Sequence, residues 1–451
     1  MSVGATPSLN FIGDTVGDVA PHAMSEMRGI RFASGNSPTT GAISLSDFRN
    51  RVLTSVRSQQ AKIQASDRQA SDKFGYSVSI SGDGNTAIAG AYNEDTGATD
   101  AGSAYIFTRS GTTWTQQAKI QASDKQAYDQ FGWSVSISSN GNTAIVGAYT
   151  EDTGGSSAGA AYIFTRSGTT WTQQAKIQAS DKATNDLFGY SVSISGDGNT
   201  AIAGALFEEY GGSAYIFTRS GTTWTQQAKI QASDRQASDF FGSSVSMSSN
   251  GNTAIVGAMF EDTGGSSAGA AYIFTRSGTT WTQQVKIQAS DKQASDNFGV
   301  SVAISDDGNT AIVGAYTEDT GGTNAGAAYI FTRSGTTWTQ QAKIQASDKQ
   351  ASDFFGHSVA ISSNGNTALV GAYNDHTGSD RTGSAYIFTR SGTTWTQQAR
   401  IQASDKQASD NFGWSVAISD DGNTTIAGAY NEDTGGTDTG AAYIFEKSYY
   451  I

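Results

Sequence analysis

Phe131-Gly132-Trp133-Ser134-Val135-Ser136-Ile137 opens a unit that continues through Asn140-Gly141-Asn142-Thr143-Ala144-Ile145-Val146-Gly147-Ala148. It runs on through Ala161-Tyr162-Ile163-Phe164-Thr165-Arg166-Ser167-Gly168 and ends in Trp171-Thr172-Gln173-Gln174-Ala175-Lys176-Ile177-Gln178-Ala179. The opening Phe-Gly recurs at Phe74, Phe131, Phe188, Phe241, Phe298, Phe355 and Phe412, 57 residues apart except for one interval of 53 after Phe188. A fixed period of this length marks an array of supersecondary units that bury their apolar faces against one another.

Each unit reads as four short strands. Val135 and Ile137 alternate with Ser134, Ser136 and Ser138, the period of a half-buried strand. Asn140-Gly141-Asn142 is a tight hairpin signal, because Gly and Asn tolerate positive φ. Thr143 to Ala148 gives a second strand of small and β-branched residues, followed by the acidic loop Glu151-Asp152-Thr153-Gly154-Gly155. Ala161 to Thr165 gives a third strand with Tyr162 and Phe164 on one face, and the turn Ser167-Gly168 leads into a fourth. Four antiparallel strands in each of seven copies describe an all-β fold, a seven-bladed β-propeller.

The ends of the array complete each other. The last copy supplies Phe412 to Ser419, Thr424 to Tyr430 and Ala441 to Phe445, but no Trp-Thr-Gln-Gln strand. The missing strand stands at the front, as Arg57-Ser58-Gln59-Gln60-Ala61-Lys62-Ile63-Gln64-Ala65. Left open, the array would expose an unpaired sheet edge. Strand 56–65 pairing with 441–445 closes the ring. The expected organisation is a non-repeat segment at 1–50 and a propeller over 51–451.

The Phe-Gly and Gly-Ala pairs resemble the FG-GAP repeat family, whose best-known members form the seven-bladed head of integrin α chains. The likeness covers about 56–445. It departs from the integrin pattern at the first hairpin, where turns such as Gly82-Asp83-Gly84-Asn85 and Asp306-Asp307-Gly308-Asn309 are too short to surround calcium with six or more oxygens. The family's calcium site is therefore not carried over to that turn. Blades that run Gly-Ala, acidic loop, Ser-Ala-Tyr and Thr-Arg-Ser-Gly are most similar in style to bacterial and phage FG-GAP proteins.

Composition narrows the partners. A net charge of −13 argues against nucleic acid and anionic membranes. No run of 18 apolar residues is present, so no membrane insertion is expected. The first 20 residues lack the basic start and apolar run of a secretory signal. Hydrophobic content is only 37%, because Gly and Ala stand where blades pack closely and aromatics carry much of the remaining burial.

Residues 1–50 hold all three prolines, Pro7, Pro21 and Pro38. Ala33 to Gly41 reads as a linker. The following Ile43-Ser44-Leu45-Ser46-Asp47-Phe48-Arg49 resembles a short motif near the N-termini of phage and virus structural proteins, tail-fibre-like ones among them. That likeness implies an anchor through Ile43, Leu45 and Phe48 that holds the ring to other particle proteins. A leader that merely caps the closing strand is the plainer alternative.

The copies differ mainly on one face of the ring. Thr-Arg-Ser-Gly-Thr-Thr-Trp-Thr-Gln-Gln is identical in six copies. By contrast, the residue after Phe-Gly is Tyr76, Trp133, Tyr190, Ser243, Val300, His357 or Trp414, and the residue before it includes Phe240 and Phe354. The loop between the second and third strands is acidic, as in Glu94-Asp95, and shortened to Phe207-Glu208-Glu209-Tyr210 in the third copy. Both belong to the face opposite the hairpin turns. Drift explains differences between copies; their restriction to one loop face points to binding, of a glycan or protein on a host surface, through Tyr76, Trp133, Tyr190, Phe240, Phe354, His357 and Trp414.

A Ser-Asp-Xaa4-Asp spacing also recurs in every copy, as Asp67 with Asp72 and Asp124 with Asp129. It admits two readings. Asp72, Asp129, Glu94 and Asp95 could share a cation such as calcium, or each Asp could bind backbone amides in the joining turn. The second is favoured, and no cofactor is expected.

Catalysis has little support. The three histidines, His22, His357 and His376, fall into no nucleophile or metal-ligand spacing, and there is no Cys. The leading expectation is a non-enzymatic structural and adhesion protein of a phage or virus particle, such as a tail fibre, spike or decoration, displayed on the particle surface. A lectin-like or adhesive protein of a bacterial surface is the alternative.

Overall fold

In the second copy the strands are Ser134–Ile137, Thr143–Ala148, Ala160–Ser167 and Thr170–Ile177, each antiparallel to the next. Every side chain of Thr143–Ala148 is buried, so this strand is covered on both faces and its small, β-branched composition follows. Tyr162 and Phe164 point to one side of the sheet and Ile163 to the other, where they join different cores.

The structure is a computed structural model that describes residues 30–31, 54–377 and 380–450. The chain divides into two compact units, 59–445 and 1–58 together with 446–451. Residues 59–445 form the seven-bladed ring that the period predicts. Six blades are consecutive four-stranded meanders. The seventh is built from Val416–Ile418, Thr424–Ala429 and Ala441–Tyr450, with Thr54–Ile63 paired outside the last of these. Thr54–Ile63 thus completes the last blade, as expected. Tyr449 and Tyr450 of that blade's third strand also pair in parallel with Ile30–Arg31.

The cores lie between blades. Ile88, Ile106 and Ile120 of the first blade pack with Phe131, Val135, Tyr162 and Phe164 of the second. The same arrangement recurs at the closing seam, where Ile63 and Ala65 join Phe74, Val78, Ile426 and Ile444. Burying each such Phe or Ile stabilises the ring by about 1.5–3 kcal/mol, shared between two blades.

The Phe-Gly and Gly-Ala pairs make these seams possible. Phe131 is fully buried, with its ring 5.6 Å from Tyr162 and 5.9 Å from Phe164. Gly132 has φ 98°, and a Cβ there would lie 2.3 Å from the Ser103 carbonyl oxygen of the preceding blade. Gly90, of the preceding Gly-Ala, meets the Gly132 carbonyl so closely that only hydrogen fits. Near the axis, Ser77 Oγ donates to Gly132 O at 2.8 Å and Ser134 Oγ to Gly189 O at 2.8 Å; Ser415 Oγ to Gly75 O at 3.0 Å carries the pattern across the closing seam.

At the rim, Trp171 Nε1 donates to Gln117 Oε1 of the preceding blade at 2.9 Å. Gln173 Oε1 accepts from Ser123 N at 2.9 Å, and Gln59 of the closing strand takes the same role with Ser404 N. The closing seam differs in one bond: Trp114 Nε1 and Gln60 Oε1 are both buried without a partner among the described residues.

Candidate functional site

Antiparallel alternation puts the blade-joining segments and the second-to-third-strand loops on one face. The loops there are mostly exposed, but the first acidic residue of each proves to be internal. Glu94 is completely buried. Its carboxylate takes hydrogen bonds from Lys119 Nζ at 2.8 Å, Ser103 Oγ at 2.6 Å, Thr96 N at 3.0 Å and the Thr96 hydroxyl. Lys119 also pairs with Asp67 at 2.7 Å. Burial opposes ionisation of Glu94, but the bonds from Lys119, Ser103 and Thr96 outweigh it and hold the carboxyl below its usual range.

This Asp-Lys-Glu bridge recurs around the ring. Lys176 joins Asp124 and Glu151, Lys286 joins Asp234 and Glu261, and Lys62 of the closing strand joins Asp405 and Glu432. In the sixth blade both inner partners change together. Asp375 replaces the glutamate and Arg400 the lysine, and they meet at 2.7 Å while Arg400 holds Asp348 at 2.8 Å. The longer cation compensates the shorter carboxylate.

The second Asp of the recurrent spacing binds backbone. Asp72 Oδ2 accepts from Gln69 N at 2.6 Å and Asp129 Oδ2 from Gln126 N at 2.6 Å. Asp95 Oδ1 caps its own loop through Asp100 N at 2.8 Å. The group between Asp67 and Glu94 is therefore the chain's own ammonium, and among the described residues no cluster of three or more His, Cys, Asp or Glu could hold a metal ion. Burial, reinforced by Glu94 and Glu151 respectively, pushes Asp72 and Asp129 up to about 6.

The aromatic residues after Phe-Gly converge into a continuous packed arc. Tyr190 meets Trp133 at 5.7 Å, Trp133 meets Tyr76 at 4.6 Å, Tyr76 meets Trp414 at 5.5 Å, and Trp414 meets His357 at 4.2 Å. Phe354 joins through Tyr373, stacked at 5.3 Å. Phe240 stands apart, against Phe207 at 4.7 Å and Phe260 at 5.0 Å. The rings of the arc are half-buried by one another rather than projecting into water. His357 is held neutral: burial pushes it down to about 4, and its Nδ1 lies 3.1 Å from the Trp414 carbonyl.

Two groups of residues escape sequence reasoning. The first is a second set of rings, Tyr92, Tyr149, Tyr316, Tyr373 and Tyr430, each touching an arc residue. The signal was present, since the residue after Gly-Ala is Tyr in five copies. The second is Phe207 and Tyr210, whose shortened loop the sequence shows but which are not among the expected binding residues. With Tyr128, they are the large apolar residues that remain exposed among the described residues, at 41%, 79% and 61%. Ile43, Leu45 and Phe48 lie outside the described residues.

A closed ring with a conserved-geometry turn face and a varied loop face is a seven-bladed propeller, a class whose rigid scaffold fits binding and adhesion. Seven matches to the FG-GAP repeat, over 58–107, 114–164, 171–217, 224–274, 281–331, 338–388 and 395–445, cover well over half of the sequence, and the chain belongs to that family. No curated protein matches it.

Proposed function

We propose that the protein is a non-enzymatic adhesion component of a phage or virus particle, with the loop face of the ring turned towards a host-surface glycan or protein and residues 1–50 attached to neighbouring particle proteins. One observation carries the binding half of this reading: copies that are otherwise nearly identical differ chiefly on the face where aromatic side chains gather. The turns of the opposite face repeat almost unchanged, since each needs the same local bonds, such as Asn142 N and Ser138 Oγ to Asn140 Oδ1. Copies that share their folding demands diverge where something other than folding selects them.

The attachment half rests on Ile43, Leu45 and Phe48 and on the likeness of their segment to tail-fibre-like proteins. Among the described residues, no helix is long and apolar enough to cross a membrane. Mass spectrometry of purified particles tests the assignment. The full chain is expected in the particle, and a chain lacking 1–50 is expected to fold yet be left out. Incorporation of the truncated chain at the normal level refutes the anchor. Recovery of the chain on a bacterial surface, with none in particles, favours the lectin-like alternative.

A further inference from the structure

The third blade breaks the symmetry of the loop face. Its second-to-third-strand loop is four residues shorter than the others, the source of the single 53-residue interval. In the second, fifth and sixth blades, Thr150, Thr317 and Asn374 tie this loop to the joining segment, bonding the backbone carbonyls of Tyr128, Ser295 and Ser352 at 2.6 Å. Phe207 in the third blade and Phe260 in the fourth cannot make that side-chain bond, and each hydrogen-bonds its joining segment through its backbone N–H, to Asp186 O at 3.3 Å and Asp239 O at 3.2 Å; the shortened loop is what sets the third blade apart. A cleft of about 720 Å3 lies there between Asp181–Leu187 and Phe207–Tyr210. Its size suits a small ligand.

The lining is a mixture of exposed rings and fixed oxygens. Tyr210 and Phe207 present apolar faces beside Leu187. Glu209 and Tyr210 both hold positive φ, 44° and 64°, without being glycine, a conformation kept only where the surroundings impose it. The carboxylates are already balanced. Asp181 pairs with Lys229 at 2.8 Å, Glu208 pairs with the same ammonium, and Glu209 pairs with Arg235 at 2.7 Å. The fourth lining carboxylate, Asp186, is buried and takes its bond from Ala183 N at 2.5 Å. A cationic ligand would have to displace Lys229 or Arg235 or draw Asp186 off that amide, and an anionic one would face four carboxylates. A neutral polyhydroxyl ligand needs neither: its hydroxyls donate to the spare lone pairs of the oriented carboxylates, and its C–H face lies on an aromatic ring.

We infer that the cleft between Asp181–Leu187 and Phe207–Tyr210 is a binding site for a neutral saccharide, with Tyr210 as the stacking platform. The inference rests on the adhesion reading above and narrows it to one site and one ligand class. The second-blade loop residue Tyr128, exposed but outside the cleft, provides the control.

Isothermal titration of the full chain with maltose, lactose and cellobiose, followed by a neutral-glycan array, tests it. At least one neutral sugar is expected to bind saturably, with affinity reduced about tenfold in Tyr210→Ala and unchanged in Tyr128→Ala. Circular dichroism confirms that each variant remains folded. Sugar binding that survives Tyr210→Ala unaltered overturns the site while leaving the adhesion reading in place. Binding of lysine or of acidic sugars, with no neutral sugar recognised, overturns the ligand class. Absence of binding to every sugar, together with attachment to host cells that Tyr210→Ala does not weaken, overturns the inference alone; absence of both sugar binding and cell attachment overturns the adhesion reading as well.

Discussion

Glu94 shows how far a residue's role depends on its partner. Read as sequence, it is one carboxylate in an acidic loop; in the ring it is a fully buried acceptor for Lys119, Ser103 and Thr96. Removing the charge of Glu94 leaves Lys119 with the more exposed Asp67 as its one anion and weakens the acceptor for Ser103 and Thr96. Glu94→Gln is therefore expected to destabilise the ring by about 3 kcal/mol. The sixth blade indicates the rescue, because Asp375 and Arg400 build the same bridge from a shorter acid and a longer base. Glu94→Asp with Lys119→Arg is expected to recover most of the loss that Glu94→Asp causes alone. Calorimetric melting of the single and double variants measures the coupling. Equal melting temperatures for Glu94→Asp with and without Lys119→Arg would remove the compensation argument.

At the scale of elements, the strand Thr54–Ile63 is the piece on which closure depends. It places Ile63 in the seam core, with Ala65 just beyond its end, Gln59 against Ser404 and Lys62 between Asp405 and Glu432. Without it, the Ala441–Phe445 edge has no partner and the seventh bridge loses its cation. A chain lacking 1–65 is expected to melt well below one lacking only 1–50 and to associate as its concentration rises. Ile63 alone contributes about 2 kcal/mol of that difference. Calorimetry with size-exclusion chromatography checks both effects. Matching melting temperatures and a monomeric elution for the two truncations would mean that the ring closes without this strand.

The whole molecule carries two opposed sets of carboxylates, and together they set its response to pH. Despite burial, Asp67, Asp124 and Glu94 are held below their usual range by their lysine bridges. Their stabilisation is present above the ordinary carboxylate range and is lost as pH falls through their lowered values. The amide-binding set behaves oppositely. Burial, with Glu432, Asp433 and Asp405 nearby, pushes Asp410 up to about 7, and burial chiefly pushes Asp72, Asp129 and Asp296 up to about 6. The folded ring keeps those protons longer than the unfolded chain, so stability falls as pH rises from the ordinary range through about 6 to 7. From these two sets alone, maximum stability is expected in the ordinary carboxylate range, at roughly pH 4. Asp410→Asn keeps an oxygen for Gln407 N, which bonds Asp410 Oδ2 at 2.7 Å, and removes the titration. It is expected to raise the melting temperature at pH 8 and leave it nearly unchanged at pH 4. A variant that melts lower than the parent at pH 8 would refute this account of Asp410.

Period, strand alternation and the displaced Trp-Thr-Gln-Gln strand determined the seven blades, their four strands and the way the ring closes, because those properties depend on local turn chemistry and on apolar residues repeated at fixed spacing. The backbone role of the Asp72-type residues was also legible, since it is made within three residues of chain. What only the tertiary structure decided is which side chains meet. Tyr76 touches Trp414 across the closing seam, Glu94 is neutralised by a lysine 25 residues away, and Phe207 and Tyr210 stay open to water on a shortened loop. Contacts of that kind depend on curvature and on neighbouring blades, and a single repeat's sequence holds neither.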